Sequence, residues 1–233
     1  MFKVRAVVFD LYGTLVDIQT NEWKPEIFDF ISKFLGYYGM NMSPEEIRVR
    51  LDLEIDRAKK LSKEVYPEID LLDVFEKALF KEKVVARSFV EAIVKIHRII
   101  SIDWIRLFPD TLEVLRELKK RGFKMGILSD AQGVFTYSEI RMLGLDVFFD
   151  YILFSTEFGF KKPDPRLFRM VATILDTPPE DTLYVGDSVK RDLVGAKAIG
   201  MKMALVRSSL PSDFPVKPDL MSPDLKGILS FLD

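Results

Sequence analysis

The stretch Val7-Val8-Phe9-Asp10-Leu11-Tyr12-Gly13-Thr14-Leu15 places a single carboxylate directly after a short apolar run near the start of the chain. The run from Ala6 to Phe9 is typical of a buried strand, which would deliver Asp10 to its carboxyl end. Gly13 allows a sharp turn, and Thr14 supplies a hydroxyl beside the acid. Because ligands of open α/β sheets bind beyond the carboxyl ends of the strands, Asp10 is a candidate catalytic residue. Taken alone, the stretch also fits an aspartate that only caps a turn.

Strand-like and helix-like patterns alternate from Phe108 onward. Such alternation is typical of a parallel sheet with helices on both faces. The first strand must join this sheet, because one strand and a helical segment cannot form a domain alone. The strand-like runs of the second half are Lys124–Leu128, Tyr151–Phe154, Leu183–Val185 and, as the last core strand, Met203–Val206, and 211–223 is expected to be a surface loop.

Only helices are indicated between about Lys24 and Ile102. Ser43-Pro44-Glu45-Glu46 has the pattern of a capping box, and periodic apolar runs follow at Leu71–Phe80 and Phe89–Ile100. The sequence therefore predicts an α/β protein with a Rossmann-like, doubly wound parallel sheet as its core. An all-helical cap domain, residues 17–104, is inserted into this core, which comprises residues 1–16 and 105–233.

Composition excludes several classes of function. The 233 residues carry a net charge of -2, whereas proteins that bind nucleic acid normally have a basic surface. The chain has no cysteine and one histidine, His97, so cysteine-based chemistry and His-rich metal sites are excluded. Any metal would be held by oxygen ligands, which favours Mg²⁺, Mn²⁺ or Ca²⁺ over Zn²⁺.

No stretch approaches the roughly 20 apolar residues of a membrane-spanning helix, and the first apolar run is too short for a signal peptide. We therefore expect a cytoplasmic protein that binds a small molecule, with no nucleic-acid or membrane partner. Both a monomer and a homodimer are compatible with the sequence.

Polar residues follow the ends of the expected core strands. Asp10 follows the strand at 6–9, and Ser129-Asp130 follows the strand at 124–128. Lys161-Lys162 comes later in the chain, and Asp187 with Asp192 follows the strand at 183–185. In a parallel sheet these groups meet at one edge, where Asp10, Asp187 and Asp192 would repel one another unless a cation neutralises them. Mg²⁺ suits such a site, because it accepts two or so carboxylates together with waters and a substrate oxygen.

A positive charge and a hydroxyl donor complete this set. Lys162 and Ser129 are the groups that a phosphate requires, and Asp130, next to Ser129, is counted with the candidate phosphate-binding residues. Each residue also has an ordinary explanation by itself. Lys162 fits a solvated lysine, Ser129 a helix cap, and Asp187 or Asp192 a turn or a helix start.

Together, Asp10-Leu11-Tyr12-Gly13-Thr14, Ser129, Lys162-Pro163 and Gly186-Asp187-Ser188 with Asp192 resemble the haloacid dehalogenase superfamily of hydrolases. The resemblance covers the whole chain and includes the helical cap between the first and second motifs. It implies that Asp10 is a nucleophile that forms a covalent intermediate. It further implies that Thr14 and Ser129 bind the transferring group and that Lys162 holds nucleophile and phosphate together. The metal ligands that it implies for Mg²⁺ are Asp10, Asp187, Asp192 and the backbone carbonyl of Tyr12.

One position separates the phosphatases of this superfamily from its dehalogenases. The phosphatases usually carry a second aspartate two residues after the nucleophile, as general acid for the leaving alcohol. Here that residue is Tyr12, as in the dehalogenases, whose halide leaves without a proton. Four other features differ from the dehalogenase pattern. Asp187 stands in place of a serine with Val189 in place of an asparagine, Asp130 replaces an asparagine, and Phe168 replaces a tyrosine. Between Lys24 and Leu61 we find no counterpart of the arginine that the dehalogenase cap presents.

These features favour a Mg²⁺-dependent phosphatase that hydrolyses small phosphorylated metabolites, preferably sugar or triose phosphates, through an aspartyl-phosphate on Asp10. A 2-haloacid dehalogenase and a non-catalytic relative that binds a phosphorylated metabolite are the alternatives. The group that protonates the leaving alcohol is unassigned. Tyr12, whose ordinary pKa is about 10, and water are both candidates.

Overall fold

The computed structural model describes residues 4–81 and 84–232. Residues 1–3, 82–83 and 233, which the predicted domain ranges include, lie outside the described residues. The strands are β1 (Ala6–Phe9), β2 (Val16–Thr20), β3 (Ile102–Leu107), β4 (Lys124–Ser129), β5 (Tyr151–Phe154), β6 (Thr182–Gly186), β7 (Lys202–Val206) and β8 (Leu220–Ser222). The helices are α1 (Pro25–Tyr37), α2 (Pro44–Leu61), α3 (Leu71–Phe80), α4 (Arg87–Ser101), α5 (Thr111–Lys120), α6 (Gly133–Met142), α7 (Pro165–Ile174), α8 (Val194–Lys197) and α9 (Gly227–Phe231).

Six parallel strands form the core sheet, in the order β5-β4-β1-β6-β7-β8. All four residues of β1 are buried, as expected for a central strand of a parallel sheet. Val7 and Phe9 pack into a cluster that includes α5, α6 and α9, whereas Ala6 and Val8 face a second cluster with α7 and α8. Helices therefore cover both faces, and the predicted doubly wound α/β fold is confirmed.

The central position of β1 determines where the polar residues meet. Phe9 pairs with Ile127 of β4 on one side and with Val185 of β6 on the other. Since all three strands run in the same direction, the residues that follow them emerge at one edge of the sheet.

Helices α1 to α4 pack around an apolar cluster of their own, which includes Ile27, Ile31, Phe75 and Ile93. A two-stranded antiparallel ribbon, β2 with β3, connects these helices to the core. These strands are absent from the sequence-based prediction, because both segments are short and β3 is largely exposed. The predicted cap limits, residues 17 and 104, fall inside the ribbon, and the extent of the cap as a domain stays a prediction.

The core sheet also extends one strand further than predicted. Residues 211–223 are expected to form a loop, with Met203–Val206 as the last strand, but β8 lies within this segment and pairs with β7. Its three residues are too few to produce a recognisable alternation of apolar and polar side chains. Among the described residues, no helix is both long and apolar enough to cross a membrane.

Candidate active site

Asp10 lies at the carboxyl end of the central strand, with 4% of its surface exposed. Its backbone N–H donates to the carbonyl of Val185, 2.9 Å away, so the strand register continues to the acid. Gly13, three residues later, has φ +85°, a conformation that is costly for residues with a Cβ. A Cβ at this position would also lie 2.7 Å from a carboxylate oxygen of Asp187. Glycine is therefore required here for both its conformation and its small size.

Three acids converge at this edge of the sheet. Asp10, Asp187 and Asp192 each offer a carboxylate oxygen, and these oxygens lie within 4.8 Å of one another. Asp187 directly follows β6, and Asp192 lies in a π-helical turn, Val189–Leu193. Gly186 permits this approach, because a Cβ there would lie 2.4 Å from an oxygen of Asp192.

Lys162 joins two of the three acids. Its ammonium donates to Asp10 at 2.8 Å, to Asp192 at 2.7 Å and to the Tyr184 hydroxyl at 3.1 Å. Burial opposes the charged form of this lysine, but Asp10, Asp192 and Asp130 outweigh that effect and raise its pKa. Lys162 is therefore a fixed cation that orients the candidate nucleophile, and not a solvated surface lysine.

The charges of this carboxylate cluster (Asp10, Asp187 and Asp192) do not balance. The ammonium of Lys162 forms ion pairs with Asp10 and Asp192. The guanidinium of Arg191 is the next cation, and its attraction lowers the pKa of Asp187 without an ion pair to that acid among the described residues. The three carboxylates thus outnumber the two cations, and negative charge is in excess. Burial is the main cause that raises the pKa of each acid, and neighbouring carboxylates add to it. The oxygen donors, the spacing and the excess charge all fit a divalent cation such as Mg²⁺. The carbonyl of Tyr12 belongs to the same turn as Asp10, and its place among the metal ligands stays a prediction.

The two hydroxyl residues expected to bind phosphate lie beside the cluster. Thr14 is fully buried, and its hydroxyl lies 3.5 Å from a carboxylate oxygen of Asp187. Ser129 ends β4 with 2% of its surface exposed. The strand β4 is the immediate neighbour of β1, so Ser129 and Asp10 leave the sheet side by side.

Asp130 differs from the other site residues. One of its carboxylate oxygens, Oδ1, accepts a hydrogen bond from the backbone N–H of Lys162 at 2.9 Å. The other oxygen, Oδ2, is buried and has no hydrogen-bond partner among the described residues. Burial raises the pKa of this carboxyl group. An ionised Asp130 would repel a phosphate, so the predicted phosphate-binding role requires its neutral form.

The side chain of Tyr12 belongs to a separate buried network. Its hydroxyl donates to Glu139 of α6 and lies 3.3 Å from the Thr136 hydroxyl. Glu139 also accepts two hydrogen bonds, of 2.7 and 3.1 Å, from the guanidinium of Arg98 in α4. The network of Tyr12, Glu139 and Arg98 therefore connects the nucleophile turn, the core and the cap helices.

This network determines what Tyr12 is able to do. Burial is the main cause that raises the pKa of its hydroxyl well above the usual value, and Glu139 raises it further. The hydroxyl is thus a weaker acid than an ordinary tyrosine, and its proton is already donated to Glu139. These contacts argue against Tyr12 as the proton source for a leaving group. Sequence alone gives no signal for the network, because its members are up to 127 positions apart.

The segment between α2 and α3 lies against the core loop that precedes Lys162. The N–H of Lys161 donates to the carbonyl of Tyr66 at 2.9 Å, and the N–H of Glu68 donates to Gly159 at 3.0 Å. The amide of Gln132 bonds the backbone just before and at the start of α3. Backbone and side-chain bonds therefore hold the cap helices beside the candidate site.

His97 lies apart from this site. Its Nε2 atom is 3.1 Å from the carbonyl of Glu22, and its ring packs edge-on against Phe75. Burial lowers its pKa to about 4, so the ring is neutral at pH 7. The contacts indicate a structural role in the cap.

The family of the chain follows from comparison with known proteins. The haloacid dehalogenase-like hydrolase family matches residues 4–200, which is more than half of the chain. The protein belongs to this haloacid dehalogenase-like hydrolase family.

Two relatives from archaea are both named glyceraldehyde 3-phosphate phosphatase. The protein from Methanopyrus kandleri is 31% identical over 53% of this chain and 53% of its own length. The protein from Methanothermobacter thermautotrophicus is 28% identical over 89% of this chain and 87% of its own length. The alignment thus spans about half the length of the first relative and most of the second.

Solved structures support the fold. A haloacid dehalogenase-superfamily phosphatase from Thermococcus onnurineus has a TM-score of 0.67 at 23% identity, covering 98% of both chains. A 2-haloacid dehalogenase from Pseudomonas syringae has a TM-score of 0.71 at 19% identity, also over 98% of both chains. Both comparisons confirm the architecture, and the fold by itself does not distinguish the two activities.

Proposed function

We propose that this protein is a Mg²⁺-dependent phosphatase that hydrolyses small phosphorylated metabolites through an aspartyl-phosphate on Asp10. The observation that carries the proposal is the carboxylate cluster. Its three acids, of which Asp10 and Asp192 are buried and Asp187 is partly buried, outnumber the nearby cations Lys162 and Arg191. A divalent cation would offset the remaining negative charge. Dehalogenation needs no such cation, whereas phosphoryl transfer makes use of one.

In the proposed reaction, a carboxylate oxygen of Asp10 attacks phosphorus and displaces the alcohol, and water then hydrolyses the acyl phosphate. Lys162 stabilises the ionised form of Asp10 against its burial and, with Thr14 and Ser129, binds phosphoryl oxygens. Asp10, Asp187, Asp192 and the carbonyl of Tyr12 would hold Mg²⁺. When bound, the cation supplies positive charge that offsets the charge on the phosphoryl group.

Triose and sugar phosphates are the preferred substrates. The two relatives named glyceraldehyde 3-phosphate phosphatase support this choice, as does the burial of the site beneath the proposed cap, residues 17–104. A buried site that the cap helices adjoin suits a small ester better than a macromolecule. We accordingly propose a cytoplasmic enzyme with no nucleic-acid or membrane partner.

The dehalogenase alternative depends on Tyr12. Its hydroxyl donates to Glu139, so the feature shared with dehalogenases serves a buried network in this chain. The non-catalytic alternative has no specific support, because the candidate nucleophile is held by Lys162 at 2.8 Å.

Phosphate release from a panel of metabolites tests the proposal. We expect turnover of glyceraldehyde 3-phosphate or another small sugar phosphate with Mg²⁺, and loss of turnover in EDTA. Halide release from 2-chloropropionate in EDTA would favour the dehalogenase instead. Binding of phosphate esters without phosphate release would favour the non-catalytic relative.

A further inference from the structure

A phosphatase that acts on an alkyl ester has to supply a proton to the departing oxygen, because an alkoxide is a poor leaving group. Phosphatases of this superfamily usually carry that acid two residues after the nucleophile. In this chain the residue there is Tyr12, whose hydroxyl donates to Glu139. The proton must therefore come from elsewhere in the site or from water.

Other groups near the cluster are already engaged. The Tyr184 hydroxyl lies 3.0 Å from the Leu128 carbonyl and 3.2 Å from Asp192. Glu68, on the cap segment, accepts hydrogen bonds at both carboxylate oxygens, from Ser155 at 2.6 Å and from the N–H of Ile69 at 3.0 Å. The proton of the Tyr184 hydroxyl and both oxygens of Glu68 are therefore already engaged in hydrogen bonds within the protein.

Asp130 is the exception among the described residues. Its Oδ1 accepts from the backbone of Lys162, while its buried Oδ2 has no partner. A buried unpaired carboxylate oxygen is costly, unless it carries a proton that a bound molecule accepts. Asp130 also directly follows Ser129, which is proposed to bind the phosphoryl group.

We propose that Asp130 is the general acid of this enzyme and donates the proton on Oδ2 to the leaving alcohol. The inference rests on the proposed phosphatase function and assigns the one role that this function leaves open. Related phosphatases carry this acid in the nucleophile turn, at the position that Tyr12 occupies here. Asp130, directly after β4, would take over its role.

The surroundings of Asp130 favour its protonated form. Burial raises its pKa most, and Asp192 of the π-helical turn raises it further. Lys162 and Arg191 lower it, and Glu68 of the cap is a second nearby acid, whose own pKa Asp130 raises. The net effect is upward. Because Oδ1 accepts the Lys162 N–H, the proton resides on Oδ2.

The proposed step is balanced in atoms and charge. Asp10 forms a bond to phosphorus while the bond from phosphorus to the ester oxygen breaks, and the electron pair goes to that oxygen. The ester oxygen takes the proton from Asp130, which leaves a neutral alcohol and the Asp130 carboxylate. In the second step the oxygen of water forms a bond to phosphorus and its proton goes to Asp130. The bond from phosphorus to the Asp10 oxygen breaks, its electron pair stays on Asp10, and both aspartates return to their starting forms.

Asp130→Asn is the main test, because asparagine keeps the shape and the acceptor for the Lys162 N–H. We expect kcat/KM for alkyl phosphates to fall about 10²–10⁴-fold. For 4-nitrophenyl phosphate, whose leaving group needs little protonation, we expect a change of only a few fold. Across a series of esters, kcat/KM should therefore decrease more steeply with increasing leaving-group pKa in the variant than in the wild type.

The pH profile gives a second readout. In the wild type, alkyl ester hydrolysis should fall as pH rises through the raised pKa of Asp130, because the protonated form is required. The same decline should be absent for 4-nitrophenyl phosphate and absent in Asp130→Asn.

Glu68→Gln is the matched control, since it removes the other nearby acid without touching Asp130. In Glu68→Gln, the dependence of kcat/KM on the leaving-group pKa should be the same as in the wild type. If the steeper dependence appeared in Glu68→Gln and not in Asp130→Asn, the proposal would be overturned. Equal losses on alkyl and aryl esters in Asp130→Asn, with a wild-type melting temperature, would overturn it as well. Failure of the wild type to hydrolyse any ester would instead remove the phosphatase function itself.

Discussion

Two groups of charges adjoin the nucleophile turn, and they differ in how their charge is balanced. The carboxylate cluster has three acids, which outnumber the nearby cations Lys162 and Arg191. The network of Tyr12, Glu139 and Arg98 pairs one carboxylate with one guanidinium through two hydrogen bonds and adds a neutral phenol.

Burial alone does not separate these groups, because both are largely hidden from solvent. Balance does. A paired set satisfies its own charges and holds elements together, whereas a set with excess charge requires something from outside the chain. We therefore expect the carboxylate cluster to carry out the chemistry and the network to attach the cap helices.

The largest expected effect is on catalysis. Asp10→Asn removes the nucleophile and should reduce phosphate release on the order of 10⁴-fold or more. It also removes one charge from a cluster with an excess of negative charge, so the melting temperature should stay the same or rise. Phosphate assays and thermal melts on the same preparation measure both. Wild-type turnover in this variant would exclude the covalent mechanism.

Breaking the balanced network should act on stability. Arg98→Met leaves the buried Glu139 without its cation, which typically costs about 3–5 kcal/mol of unfolding free energy. Urea denaturation measures this loss, and the double variant Arg98→Met/Glu139→Leu should recover a large part of it. If Arg98→Met were as stable as the wild type, the network would not attach the cap helices.

In the carboxylate cluster, by contrast, removing a charge should increase the stability of the metal-free protein, because the cluster has an excess of negative charge. Burial and Asp192 raise the pKa of Asp187, so its ionised form destabilises the metal-free protein at pH 7. Asp187→Asn should then raise metal-free stability by about 1 kcal/mol. Mg²⁺ at roughly 100 times its Kd should stabilise the wild type by about 2–3 kcal/mol but should have little effect on the variant. Equal Mg²⁺ responses of the two proteins would contradict a metal at Asp187.

The smallest effect is expected at Tyr12. Tyr12→Phe removes only the hydroxyl and leaves the pair of Arg98 and Glu139 intact. We expect a loss of about 1 kcal/mol in stability, the usual contribution of one hydrogen bond, with alkyl ester turnover nearly preserved. A large loss confined to alkyl esters would make Tyr12 the proton donor and would count against Asp130.

Much of the candidate site follows from local sequence. Asp10, Ser129 and Asp187 each come directly after a strand or end one, and parallel strands bring such positions to one edge. The sheet order that makes β1 central then places Lys162 and Asp192 beside Asp10. The ribbon of β2 and β3 and the strand β8 were not predicted, because short or exposed strands carry little periodicity.

The sequence by itself determined the α/β architecture, the helical insertion and the identity of the acids at the strand ends, since these depend on short-range patterns and on a shared direction of strands. Only the tertiary structure decided how the charges are shared. It directed the Tyr12 hydroxyl to Glu139 on a distant helix and left Oδ2 of Asp130 without a hydrogen-bond partner in the part of the chain that the structure describes. The physical reason is that charge balance and hydrogen-bond satisfaction are properties of groups gathered from remote parts of the chain, which no local pattern records.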